Sequence, residues 1–134
     1  MARIFKISLI LVCPAYLFSL TSLNVTTLTD TTPYTGSGSG TNGDLRWCLN
    51  YINANPDSYD IRFPAISGTI TLNQMLPVVN LFNGNTVTIN TAVPQSITID
   101  GQGLYKGLTI RQGNVTVESV TFSNCFAHGG DGGQ

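Results

Sequence analysis

The fold class turns on the stretch from TVTIN (residues 86–90) through ITIDG (97–101) to LTIRQGNVTVESVTFS (108–123). It holds five of the chain's six apolar–Thr–apolar triplets: Val87–Ile89, Ile97–Ile99, Leu108–Ile110, Val115–Val117 and Val120–Phe122, after Ile70-Thr71-Leu72. Period-two alternation puts both apolar residues of a triplet on one face of a strand and the threonine on the other. Threonine and β-branched residues suit such a pleated surface. The triplets are short and unevenly spaced, unlike sandwich strands, which recur about every 8–12 residues. Offsets of 19 (Ile70 to Ile89), 21 (Val87 to Leu108) and 21 (Ile99 to Val120) predict a solenoid coil near 20 residues. Each triplet is then expected to stack on its equivalent in the next coil, with Asn and Gly at the corners where left-handed backbone is needed.

Upstream, Ile61 and Phe63 alternate with Arg62 and predict a strand. Before it, Leu45, Cys48, Leu49 and Ile52 recur at helical spacing behind Asp44, a good N-cap, and predict a helix over 44–53. Asn55-Pro56-Asp57 ends that helix, since a residue before proline leaves the α region. Ten residues are marginal alone, so the apolar face must dock, and the expected role is an N-terminal cap on the first coil. Residues 127–134 (AHGGDGGQ) have loop composition directly after the last triplet. Residues 44–134 are therefore expected to hold the cap helix and the first two or three coils, truncated at the C-terminus. Residues 23–43 read as a short strand (Leu23 to Leu28) and a Gly/Ser linker (TGSGSGTNG, 35–43).

Residues 1–22 read as a signal peptide. Arg3 and Lys6 precede an uncharged apolar run, Ile7 to Leu20, broken only by Pro14. That run is short of the roughly 18 apolar residues of a transmembrane helix. Export is the expectation. Only 10% of the 134 residues are charged, against about 25% in ordinary soluble domains. Yet 42% are hydrophobic, enough for a core. The net charge is −1 with no basic stripe, which excludes phosphate-backbone binding and hence nucleic acid as a partner.

The run Gly43-Asp44-Leu45-Arg46, then Asp60-Ile61-Arg62-Phe63, Gly68-Thr69-Ile70-Thr71-Leu72 and Ile97-Thr98-Ile99-Asp100-Gly101, resembles the bacterial β-helix passengers. These include autotransporters and the chlamydial polymorphic outer membrane proteins. The resemblance covers roughly residues 43–133 and implies an all-β, right-handed parallel β-helix with a short N-terminal capping helix, preceded by a signal peptide. It further implies the cell surface, outer membrane or extracellular space, with adhesion or host contact as the function and a host-cell surface or carbohydrate ligand as the partner.

Chemistry is harder to place. The acids Asp30, Asp44, Asp57, Asp60, Asp100, Glu118 and Asp131 are scattered singly, whereas a calcium-dependent lyase needs a carboxylate cluster and a glycosidase two opposed carboxylates. Asp100-Gly101 reads as turn chemistry, and Asp131 among glycines as a loop without the repeated G-G-x-G-x-D calcium pattern. His128 is the only histidine and has no sequence-evident partner; with no CxxC, zinc is not indicated. Trp47 and Tyr51 on the helix mark either a sugar-binding face or packing of the cap. If Cys13 leaves with the signal, Cys48 and Cys125 remain; an oxidising compartment would permit a bridge, but small buried apolar residues are the favoured reading. Asn24-Val25-Thr26 and Asn114-Val115-Thr116 match the glycosylation sequon, and the bacterial origin that the resemblance implies would make both incidental. No catalytic, cofactor-binding or metal residue is assigned and no cofactor is expected. The expected function is that of a non-catalytic surface or secreted β-helix passenger fragment. The alternatives are the N-terminal part of a secreted polysaccharide lyase or glycosidase, and a degenerate gene remnant.

Overall fold

The computed structural model describes residues 20–30, 34–82, 84–91 and 95–127. The expected signal peptide lies outside them as far as residue 19, and β1 (Thr21–Val25) already takes in the last two residues of the expected 1–22 segment. Next come β2 (Gly38–Ser39), β3 (Asn42–Gly43) and the helix α1 (Leu45–Ala54). They are followed by β4 (Tyr59–Arg62), β5 (Gly68–Thr71), β6 (Val79–Asn80), β7 (Thr86–Asn90) and β8 (Ile97–Asp100). The last strands are β9 (Ile110–Gln112), β10 (Asn114–Glu118) and β11 (Val120–Ser123).

These strands make three sheets, ordered β10-β7-β4-β1-β3-β2, β11-β8-β5 and β6-β9. In the largest, Tyr59 pairs with Val87 and Val87 with Val115, so successive partners lie 28 residues apart. In the second, Ile70 pairs with Ile99 at 29 and Ile99 with Phe122 at 23.

These pairings correct the expected right-handed parallel β-helix. The largest sheet is mixed: β2 and β3 run antiparallel at one edge, and one short helix packs beside β1, β3 and β6. The architecture is therefore a three-sheet, mixed parallel and antiparallel arrangement with one helix, not a uniform parallel solenoid. The 20-residue repeat fails as well, because apolar–Thr–apolar triplets are interchangeable by sequence and spacing alone picks the wrong partners. The antiparallel edge escaped detection because TGSGSGTNG is loop-like in composition. Gly40 (φ +60°) instead closes a two-residue hairpin turn between β2 and β3, a position that favours glycine.

The apolar rows face one another across a single core. Leu23, Ile61 and Ile89 stack in register at 0%, 0% and 3% exposure, and Ile70 and Ile99 do so in the second sheet. The helix forms as read. Asp44 caps it by accepting from Trp47 N at 2.7 Å, and Leu45, Cys48, Leu49 and Ile52 face the core. Its other anchor is polar. Arg46 is buried in a bidentate pair with Asp30 (2.7 and 2.9 Å) and also donates to the carbonyls of Gln74 and Met75. Asp30 in turn accepts from Asn73 N, and Asn53 bonds both Val78 O and Asn80 N. Asp30 and the stretch 73–80, both distant in sequence, are thereby tied to one helix, and the charges are offset by hydrogen bonds at nearly every polar atom.

Candidate functional site

Because alternate residues of a strand point outward, the register of the largest sheet sets its polar residues in rows. One row runs Asn42, Asn24, Arg62, Asn90, Glu118, and beside it lies Ser22, Asp60, Thr88, Thr116. The neighbours bond along the rows: Asn24 Nδ2 donates to Asn42 Oδ1 (3.0 Å) and Asn90 Nδ2 to Glu118 Oε2 (2.7 Å). Arg62 Nε donates to Asp60 Oδ2, with the arginine 59% exposed and folded over a carboxylate only 12% exposed. A cleft of about 270 Å³ opens here, lined by Asp60, Arg62, Phe63, Pro64 and Asn90.

The second sheet carries a similar face, with Thr69, Thr98 and Thr121 in one row and Thr71, Asp100 and Ser123 in the next. Asp100 is a turn residue there: its Oδ1 accepts from Gln102 N (2.9 Å) and Asn124 Nδ2 (3.1 Å).

Such an array offers donors and acceptors at the strand spacing of roughly 4.8 Å on a surface held flat by the sheet. Hydrogen bonding to hydroxyls and amides is the chemistry it can perform. The structure does bring two of the scattered acids, Asp60 and Glu118, to one face, but β7 lies between their strands, which puts roughly 10 Å of sheet between them. Asp60 is paired with Arg62, and Glu118 accepts from Asn90.

The other singled-out residues fall elsewhere. Trp47 packs its ring under the β2–β3 hairpin, so closely that a Cβ on Gly38 would lie 2.4 Å from it. Trp47 and Tyr51 stack at 5.1 Å, and Tyr51 meets Tyr59 edge-on at 5.9 Å, so packing accounts for both. Tyr59 Oη donates to Asn55 O, and burial, with Tyr51 and Asp57 nearby, pushes its phenol upward. Cys48 and Cys125 are free thiols, the first in the core and the second exposed. Burial, reinforced by the Asp44 charge, pushes the Cys48 thiol up to about 12. His128 and Asp131 lie outside the described residues. Among the described residues no three His, Cys, Asp or Glu side chains converge as metal ligands, and no helix is long and apolar enough to cross a membrane.

Sequence reasoning passed over the Asp30–Arg46 centre and the alignment of Arg62 with Asn90 and Glu118. An arginine beside the apolar stripe of α1 was the one available signal for the former. For the latter there was none, because register is a tertiary property. Compared with protein-family models, curated proteins and solved structures, the chain matches none.

Proposed function

We propose that this chain is an exported, non-catalytic surface module that makes adhesive contact with a hydroxyl-rich ligand, such as cell-surface carbohydrate, through the outer face of its largest sheet. The observation that carries the reading is the pair of polar rows around the Asp60–Arg62–Asn90 cleft. A flat face of ordered donors and acceptors suits many weak contacts with an extended, hydroxylated partner. The motif order at the N-terminal end and the charged, then apolar, start of the chain support export and surface display.

The test is binding of the purified chain to immobilised polysaccharides and to whole cells, with Arg62→Glu and Thr88→Val as variants. Loss of about tenfold in affinity is expected from Arg62→Glu, equivalent to one good polar anchor. Binding indifferent to both variants, or absent from every surface tried, would overturn the proposal. Release of new reducing ends from a polysaccharide would replace it with the enzyme reading.

A further inference from the structure

Strand β10 ends the largest sheet, so one of its edges has no partner strand among the described residues. Main-chain groups in a parallel pair alternate between the two sides of a strand. Asn114 N donates to Asn85 O and Glu118 O accepts from Thr91 N, both toward β7. Residues 114, 116 and 118 therefore turn their N–H and C=O groups inward to the sheet, and Val115 and Val117 turn theirs to the open edge.

Natural sheets protect such an edge with lysine, proline or a bulge. β10 reads NVTVE and has none of these, only Glu118 at its end. Beside it, side chains in core rows are uncovered: Ile110 is 47% and Phe122 41% exposed, where their strand partners Val79 and Ile99 are 0% and 2%. Ile110, Val117 and Phe122 line one apolar cleft of about 440 Å³ at this end.

We infer that this end is an interface with a second copy of the same chain, joined by antiparallel pairing of β10 with its counterpart about a two-fold axis through Thr116. Among the registers that pair open groups with open groups, this one also sets Asn114 opposite Glu118. Val115 faces the partner's Val117, and those are the residues whose main-chain groups are open, so four N–H···O=C bonds form across the axis. The inward valines stay inward, because the alternation is preserved about a central residue. On the outer face Asn114 lies opposite the partner's Glu118, repeating the Asn90–Glu118 bond present within the chain. The two Glu118 carboxylates are held four residues apart along the strand pair, roughly 13 Å, so like charges do not oppose the contact.

Two five-residue edges fall short of the roughly 800 Å² per partner that stable dimers bury. The axis also sets the two apolar ends against each other, and Ile110, Val117 and Phe122 of the apolar cleft supply the further area. A C₂ dimer of this kind closes on itself and leaves the outer polar rows in one continuous surface.

The test is the mass of the full chain in solution from about 1 to about 100 μM by light scattering and sedimentation, where a dimer of micromolar affinity is expected. Val117→Pro removes an edge donor without touching the bonds to β7, and should give a monomer with unchanged circular dichroism. Asn114→Asp sets like charges opposite each other twice and should weaken the dimer about tenfold, whereas Asn114→Lys should tighten it. A monomer throughout the range overturns the inference. So does a dimer indifferent to the residue 114 charge, a reading that stands even if Val117→Pro fails to fold.

Discussion

The two ends of the molecule are built from the same kinds of residue and end up differently covered. At the helix end, Leu23, Leu49 and Ile52 are within 1% of full burial, closed over by α1 and the β2–β3 hairpin. At the other end Phe122, in register with the buried Ile99, remains 41% exposed. Alternation decides which face of a strand is apolar. Whether that face becomes core depends on a neighbour, and at the helix end the neighbour is held in place by polar bonds and not by packing alone.

The largest effect is expected from breaking those bonds. Arg46→Ala leaves the Asp30 carboxylate buried with its main counter-charge gone, and should cost about 3–5 kcal/mol in denaturant unfolding. A loss under about 1 kcal/mol would mean that the helix end is held by packing alone.

Alkaline pH probes the same end by another route. The Cys48 thiol is raised in the folded chain to about 12, so its burial favours the protonated form. The folded state then holds more protons than the unfolded one between roughly pH 9 and 12, and stability falls as pH rises through that window, by on the order of 4 kcal/mol at most. Below pH 9 this contribution is intact. Cys48→Ala should flatten the alkaline limb of the stability profile relative to the parent chain. A parallel fall in both proteins would assign the loss to other groups.

Smallest is the contrast between paired positions. Ile99→Ala should destabilise by about 3 kcal/mol, and Phe122→Ala, on the half-covered partner position, by about 1 kcal/mol. Equal losses measured well below the dimer's dissociation constant would show that the open end packs as tightly as the interior, which sharpens or removes the distinction between the ends.

Much of the local structure was legible beforehand. The Asp44 cap and the 45, 48, 49, 52 spacing located α1 within one residue, since both are properties of a single helix turn. The triplets at 87–89, 97–99, 115–117 and 120–122 all lie in strands. Leu108–Ile110 was displaced, because β9 begins at Ile110, and β6 was invisible, being two residues long between loops. The candidate site was half legible. Alternation put Thr88 outward, but only pairing set Arg62 beside Asn90 and Asn90 beside Glu118.

By itself the sequence determined the helix and its cap, the apolar face of the triplet strands and the left-handed corners at residues such as Gly113 (φ +110°), because these depend on neighbours a few positions away. The tertiary structure alone decided which strands pair, that Gly38–Gly43 folds back as an antiparallel edge, that Asp30 finds Arg46, and which apolar face stays uncovered. Those outcomes depend on choosing among near-identical triplets and on burying charge between segments distant in the chain, and no local preference distinguishes the alternatives.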